Sequence, residues 1–178
     1  KKAEANICGL GQFIFSMNGK KVGDHELDPG WTNYDKLIQY VTFDVTDYLE
    51  KGENVLGAEV GNGWFIKTDE HYTFAFPAPI PPNPNPYKPY GKSLVLALEL
   101  TVVYTDGTEE RIGADETFAV KEHPTVMSNV YGSETTDARL EQEGWCTAGF
   151  DASGWKAAAV VPEADAPQGE LIGQFQPA

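Results

Sequence analysis

The sequence predicts an all-β protein, a two-sheet sandwich of the jelly-roll kind. Three observations carry this. About eight short apolar runs are separated by Gly- and Pro-rich turns, the signature of a sandwich or barrel. Between residues 93 and 104, Leu94, Leu96, Leu98, Leu100 and Val102 recur at period two, so they share one face of a strand. Asn18-Gly19 sits between two alternating runs, and both positions of the tightest hairpin turn need a positive φ that these two residues supply.

The elements follow in chain order. Residues 12–17 form a strand with Phe13, Phe15 and Met17 on one side, and the chain resumes after the Asn-Gly turn at Lys20-Lys21-Val22. Asp28-Pro29-Gly30-Trp31 is a turn, and a strand runs through residues 38–45. Asp44-Val45-Thr46-Asp47-Tyr48-Leu49 then reads as a strand end and a single helical turn, capped by Thr46 or Asp47 and ended by Gly52. Residues 54–60 form a strand that Gly61-Asn62-Gly63 breaks sharply. Residues 71–76 alternate Tyr72, Phe74 and Phe76. The stretch 77–90 is a Pro-rich surface loop, since Pro cannot donate to a ladder. After the strand at 93–104, Asp106-Gly107 turns into 109–112, and 118–121 and 155–161 supply two more short strands. Residues 131–144 read as polar and irregular. The sandwich spans residues 1–162, and 163–178 read as a linker toward further domains. The chain opens in a strand pattern without Met, as a piece of a longer protein would.

Charge narrows the partners. The 178 residues carry 13 Lys+Arg against 27 Asp+Glu, a net −14, which opposes binding to nucleic acid or an anionic membrane. Arg111 and Arg139 are the only arginines, so an Arg-lined phosphate site is not expected. Cys8 and Cys146 lie far apart and read as two buried free thiols, with pairing left open. Asp24-His25-Glu26 does not read as a metal set, because successive side chains point different ways. No nucleophile elbow or phosphate loop occurs, and Gly9-Leu10-Gly11 lacks the third glycine of a dinucleotide loop.

Two stretches suggest a ligand. In Gly61-Asn62-Gly63-Trp64, a tight bend presents an amide and an indole together. A sugar is held by hydrogen bonds to its hydroxyls and by a flat ring against its apolar face, so this composition suits a carbohydrate, although Trp64 would serve equally as core. Trp31 and Tyr34 form a second aromatic pair among polar residues. In 131–139, Glu134 and Asp137 are carboxylates beside Arg139. They would suit Ca²⁺, or an Arg–carboxylate pair that pins the loop. Trp145 and Trp155, flanking Asp151, read as core packing beside an Asp-capped turn.

These residues also resemble a known family. Asn18-Gly19-Lys20-Lys21-Val22-Gly23-Asp24, Leu27-Asp28-Pro29-Gly30-Trp31-Thr32-Asn33-Tyr34-Asp35-Lys36, Asp44-Val45-Thr46, Gly52-Glu53-Asn54 and Gly61-Asn62-Gly63-Trp64 are similar to the N-terminal accessory domain of bacterial α-L-rhamnosidases of glycoside hydrolase family 78. Tyr131 through Arg139 resembles that family's Gly-Glu-x-x-Asp-Ala-Arg stretch, with Ser133 interposed after Gly132. The resemblance covers about residues 5–160 and implies a galactose-binding-domain-like sandwich. It implies that catalysis resides in an (α/α)₆ barrel outside this length of chain, so no catalytic residue is expected here. It further implies L-rhamnose or a rhamnosylated glycan as ligand, with Ca²⁺ assistance, or else a purely structural role packed against that barrel. The expected sugar contacts are Asn62, Gly63, Trp64 and Tyr34, and the expected calcium ligands are Glu134 and Asp137. Secretion or a periplasmic location would suit such an enzyme.

Overall fold

The computed structural model describes residues 1–66, 90–129 and 133–175. The expected alternating run at 71–76, most of the Pro-rich loop at 77–90, and Tyr131 and Gly132 lie outside the described residues.

The chain forms a β-sandwich. Strand β1 (Lys2–Leu10) is central to a sheet that also contains β4 (Leu37–Asp44), β6 (Val95–Val103), β7 (Glu109–Gly113) and β12 (Glu170–Gly173), in the order β12-β4-β1-β6-β7. The facing sheet is β3-β2-β5, from β2 (Gln12–Met17), β3 (Lys20–Lys21) and β5 (Leu56–Gly61). Two short ribbons complete the fold. One pairs β8 (Ala119–Val120) with β11 (Lys156–Ala157), and the other pairs β9 (Thr125–Asn129) with β10 (Ser133–Thr136).

Strand parity explains the core. In β1 the residues Ala3, Ala5 and Ile7 point inward, opposite Val102, Leu100 and Leu98 of β6 and beside Phe43 and Val41 of β4. They meet Phe13, Phe15 and Met17 of β2, and the rings of Phe13 and Phe15 lie 6.4 and 6.0 Å from Phe43. The period-two pattern of β6 is therefore the core face, as the sequence predicts, with Leu94 left exposed beyond the strand. The opposite parity puts Lys2, Glu4 and Asn6 on the outer face, opposite Val103, Thr101 and Glu99. At the far end of that face the same parity becomes apolar: Cys8 and Leu10 pair with Ala97 and Val95, and a second cluster forms there with Ile38, Tyr34 and Phe65. One sheet thus has a core on each face, and the second core underlies the candidate site.

The hairpin turn forms as expected, with Asn18 at φ 50° and Gly19 at φ 76°. Asn18 adds more than a turn. Its Nδ2 donates to Tyr48 O (3.0 Å) and Asn54 Oδ1 (2.9 Å), and its Oδ1 accepts from Val55 N (2.8 Å).

Four expectations are corrected. The helical turn is a 3-10 turn at Thr46–Tyr48 with no side-chain cap; the Asp44 carboxylate, two residues before it, accepts the Thr46 N–H instead, and Gly52 lies in the following loop. Within the stretch read as irregular, Ser133–Thr136 forms a strand because β9 lies alongside it. The strand expected at 155–161 shrinks to Lys156–Ala157. Within the stretch read as a linker, residues 170–173 form a parallel edge strand on β4.

Trp145 and Trp155 stack at 6.4 Å, and Trp145 lies against Gly57 of β5, where a Cβ would sit 2.2 Å from the indole. Cys146 and Cys8 are buried free thiols in different parts of the fold. Burial raises both, Cys8 to about 12, so neither is a reactive thiolate.

Candidate functional site

The bend after β5 is built by a close backbone crossing. Gly11, at φ 110°, is the corner where the chain leaves β1 for β2, and Gly63, at φ 46°, lies against it. A Cβ on Gly63 would sit 2.7 Å from the Gly11 carbonyl carbon, and one on Gly11 would sit 2.1 Å from Gly61 O. Only glycines allow that approach. The crossing fixes Asn62, whose carbonyl accepts from Phe65 N (3.1 Å) and whose Nδ2 donates to Ser128 O of β9 (3.1 Å).

Trp64, two residues after Asn62, is half-buried against the second core. Its ring meets Trp31 at a centroid distance of 5.8 Å and an angle of 46°. Trp31 is 56% exposed, so the pair turns an aromatic surface to solvent. Beneath it lies Tyr34, 1% exposed, edge-on to Phe65 (5.4 Å) and Tyr90 (5.1 Å). Tyr34 therefore supports the surface from inside, and Trp31 takes the exposed place that the sequence reading gave to Tyr34. The Tyr34 hydroxyl has no hydrogen-bond partner among the described residues; the Gly11 backbone N–H lies near it without closing a bond. Burial, with smaller effects from Cys8 and Tyr90, pushes this phenol to about 12.

The loop that carries Trp31 is held by a network around two buried polar residues, Asp28 and Gln39. His25 Nδ1 pairs with Asp28 Oδ2, and Asp28 Oδ1 accepts from Gln174 Nε2 (2.9 Å). Gln174 Oε1 accepts from Gly30 N (2.9 Å), and Gln39 Nε2 donates to Gly30 O (2.9 Å). Glu26 pairs with Lys21, so Asp24, His25 and Glu26 do not converge. The glutamines carried no signal in the sequence, because their partners are distant in the chain.

Of the expected calcium ligands, Glu134 is exposed on β10, opposite Ser128, whose carbonyl holds Asn62. Asp137 accepts the Arg139 backbone N–H and two guanidinium N–H groups, at 3.1, 2.8 and 2.5 Å. Arg139 holds this carboxyl below its ordinary value. The Arg–carboxylate alternative is thus present, but Arg139 is exposed, so the pair is local. Both Asp137 oxygens are committed, and no three His, Cys, Asp or Glu side chains converge among the described residues. This donor set does not fit calcium.

Across β5, the Thr125 N–H donates to His123 Nδ1 (3.0 Å), which leaves Nε2 protonated and donating to Glu59. This ties the start of β9 to β5, near Asn62.

A family described as "Alpha-L-rhamnosidase N-terminal domain" matches residues 1–178. The chain belongs to this family. As a rhamnosidase N-terminal domain, it is 40% identical over 153 residues to an α-L-rhamnosidase of Formosa agariphila, covering 86% of this chain and 15% of that protein. It is 35% identical over 156 residues to one of Streptomyces avermitilis, covering 88% and 14%. Among solved structures, the α-L-rhamnosidase of Dictyoglumus thermophilum superimposes with a TM-score of 0.82 at 29% identity, over 99% of this chain and 17% of that one. The Streptomyces avermitilis enzyme complexed with L-rhamnose gives 0.81 at 32% identity, over 97% and 15%. The domain spans less than a fifth of each of these proteins.

Proposed function

We propose that this is a non-catalytic accessory domain of an α-L-rhamnosidase that removes terminal L-rhamnose from plant glycosides, and that it binds a rhamnosyl group at the Trp31–Trp64 surface. The observation that carries the binding is the solvent-facing Trp31 indole resting on Trp64, with Asn62 fixed in the adjoining bend. Rhamnose is a deoxy sugar with a methyl group and an apolar ring face, which suits a flat aromatic. Its hydroxyls suit a nearby amide. Because Asn62 and Trp64 are already held by the Gly11–Gly63 crossing, little ordering entropy is lost on binding. A single shallow site of this kind binds at about micromolar to millimolar, roughly −8 to −4 kcal/mol.

The test is calorimetric titration of L-rhamnose into the domain, wild type and the Trp31→Ala and Asn62→Ala variants. Saturable heat lost in Trp31→Ala supports the site, and binding unchanged in both variants refutes it. Stacking and amide hydrogen bonds need no ion, so the titration is expected to be the same in Ca²⁺ and in EDTA. Binding lost on chelation would overturn that part.

A second reading is favoured by the exposed Leu27, Trp31, Leu171 and Phe175. Under it, the domain packs against the catalytic barrel of its parent enzyme and has no ligand. Absence of heat at millimolar sugar would select this reading.

A further inference from the structure

We propose that Gln174 is a positioning residue for the Trp31–Trp64 pair, so that docking of the last strand and ligand binding are one linked equilibrium. The ligand half of this rests on the binding reading above; the positioning half does not. Gln174 follows β12 and reaches two points of the loop that carries Trp31. Its Oε1 takes the N–H of Gly30, the residue before Trp31, and its Nε2 gives a hydrogen bond to Asp28. On the other side of Gly30, the Gln39 amide holds the Gly30 carbonyl, and the same amide's oxygen accepts from Phe175 N (3.2 Å).

The backbone of this segment runs along the first half of β4, from Leu37 to Tyr40. Glu170 N donates to Lys36 O (3.0 Å), and Gln174 N donates to Tyr40 O (2.8 Å). Gly169 lies so close to the Tyr34 carbonyl that a Cβ there would be 2.5 Å from it. The segment 169–175 therefore fixes the loop on either side of Trp31. Trp64, by contrast, is held by the Gly11–Gly63 crossing. The two rings of the pair are set by two different parts of the chain, and their mutual geometry depends on β12 being docked. A ligand that needs both rings binds only the docked state, and by reciprocity it favours docking.

The test uses the four indole N–H resonances of the domain. Gln174→Met keeps the side-chain length and removes both hydrogen bonds. The expected result is displacement of the Trp31 and Trp64 signals, with those of Trp145 and Trp155 unmoved. L-rhamnose affinity is expected to fall about fivefold or more. Four unmoved signals, or four that move alike, overturn the proposal. Retained signals for Trp145 and Trp155 show that the variant is folded. Native-state hydrogen exchange of the wild type gives a reading free of any variant. Gly30, Glu170 and Gln174 amides are expected to exchange with one common opening free energy, and a separate, higher protection at Gly30 would overturn the positioning role. If the wild type binds no L-rhamnose, the binding reading fails, and the indole and exchange results still decide what Gln174 does.

Discussion

Replacing Gly63 with alanine tests the crossing on which the site is built. Two costs add. A non-glycine residue at φ 46° is in the left-handed region, which costs about 1–2 kcal/mol. The new Cβ would also sit 2.7 Å from the carbonyl carbon, 2.8 Å from the Cα and 2.9 Å from the oxygen of Gly11. All three are backbone atoms, which cannot rotate away, so the bend and the β1–β2 corner must separate, costing roughly 1–3 kcal/mol more. The total is about 2–5 kcal/mol, or roughly 5–15 °C in melting temperature at this chain length. Gly107→Ala is the control: its φ is 87°, but nothing lies within 4 Å of the added carbon, so only the backbone strain applies. Urea unfolding followed by circular dichroism gives both values. If Gly63→Ala costs no more than Gly107→Ala, the close crossing is wrong, and with it the argument that Asn62 and Trp64 are held in place before a ligand arrives.

Other outcomes follow from the same structure. Asn18→Ala loses three hydrogen bonds and a residue suited to φ 50°, so a loss of about 3 kcal/mol is expected in urea unfolding, with Asn18→Gly about 1 kcal/mol milder. Tyr34→Phe removes a buried hydroxyl without a partner and is expected to leave stability unchanged or raise it by about 1 kcal/mol; a loss larger than that would reveal a hydrogen bond at this hydroxyl. Asp44, Asp106, Asp115, Asp137 and Asp151 each accept the backbone N–H two residues on, and side-chain and backbone bonds to that residue hold all five carboxyls below the ordinary aspartate value. Because their folded values are depressed, the stability they supply is present above about pH 4 and is lost as pH falls through the folded values. Changing Asp106, Asp115 and Asp151 to Asn keeps an acceptor but no charge, and is expected to flatten the fall in urea midpoint between pH 5 and pH 2.5; an unchanged profile would refute that assignment.

The sequence was readable where local chemistry decides the structure. Asn18-Gly19 dictates its turn by φ alone, and the leucines of β6 display the core face because period two has one solution in a strand. It was unreadable where a distant partner decides. Ser133–Thr136 has no alternation, and all four residues are exposed, so only β9 makes it a strand. Residues 170–173 hold a short apolar pair among Pro, Ala and Gln, and only the exposed edge of β4 gives them a place. At the candidate site, the glycine-bounded bend was visible in 61–64. Which of Trp31 and Tyr34 faces solvent was not, because both sit in a loop whose orientation is set by Gln39 and Gln174. The oxygen-rich stretch 131–139 suited either calcium or an Arg–carboxylate pair, and Arg139, only two residues from Asp137, shows how a local partner can occupy the same oxygens.

The lateness of β12 in the chain has a consequence for how the molecule assembles. Gly30 and Gln174 are 144 residues apart in sequence, so the contact that seats the Trp31 loop closes one of the longest loops in the fold. The hairpin at Asn18-Gly19 and the β6–β7 pair can form from near neighbours as soon as they exist. The last strand must wait until nearly all of the domain has been synthesised and the chain-entropy cost of closing so long a loop has been met. The edge of β4 stands open until then, as a template that another chain could pair with. During synthesis, the aromatic surface is therefore among the last features to be completed, and the step that completes it also closes the sheet.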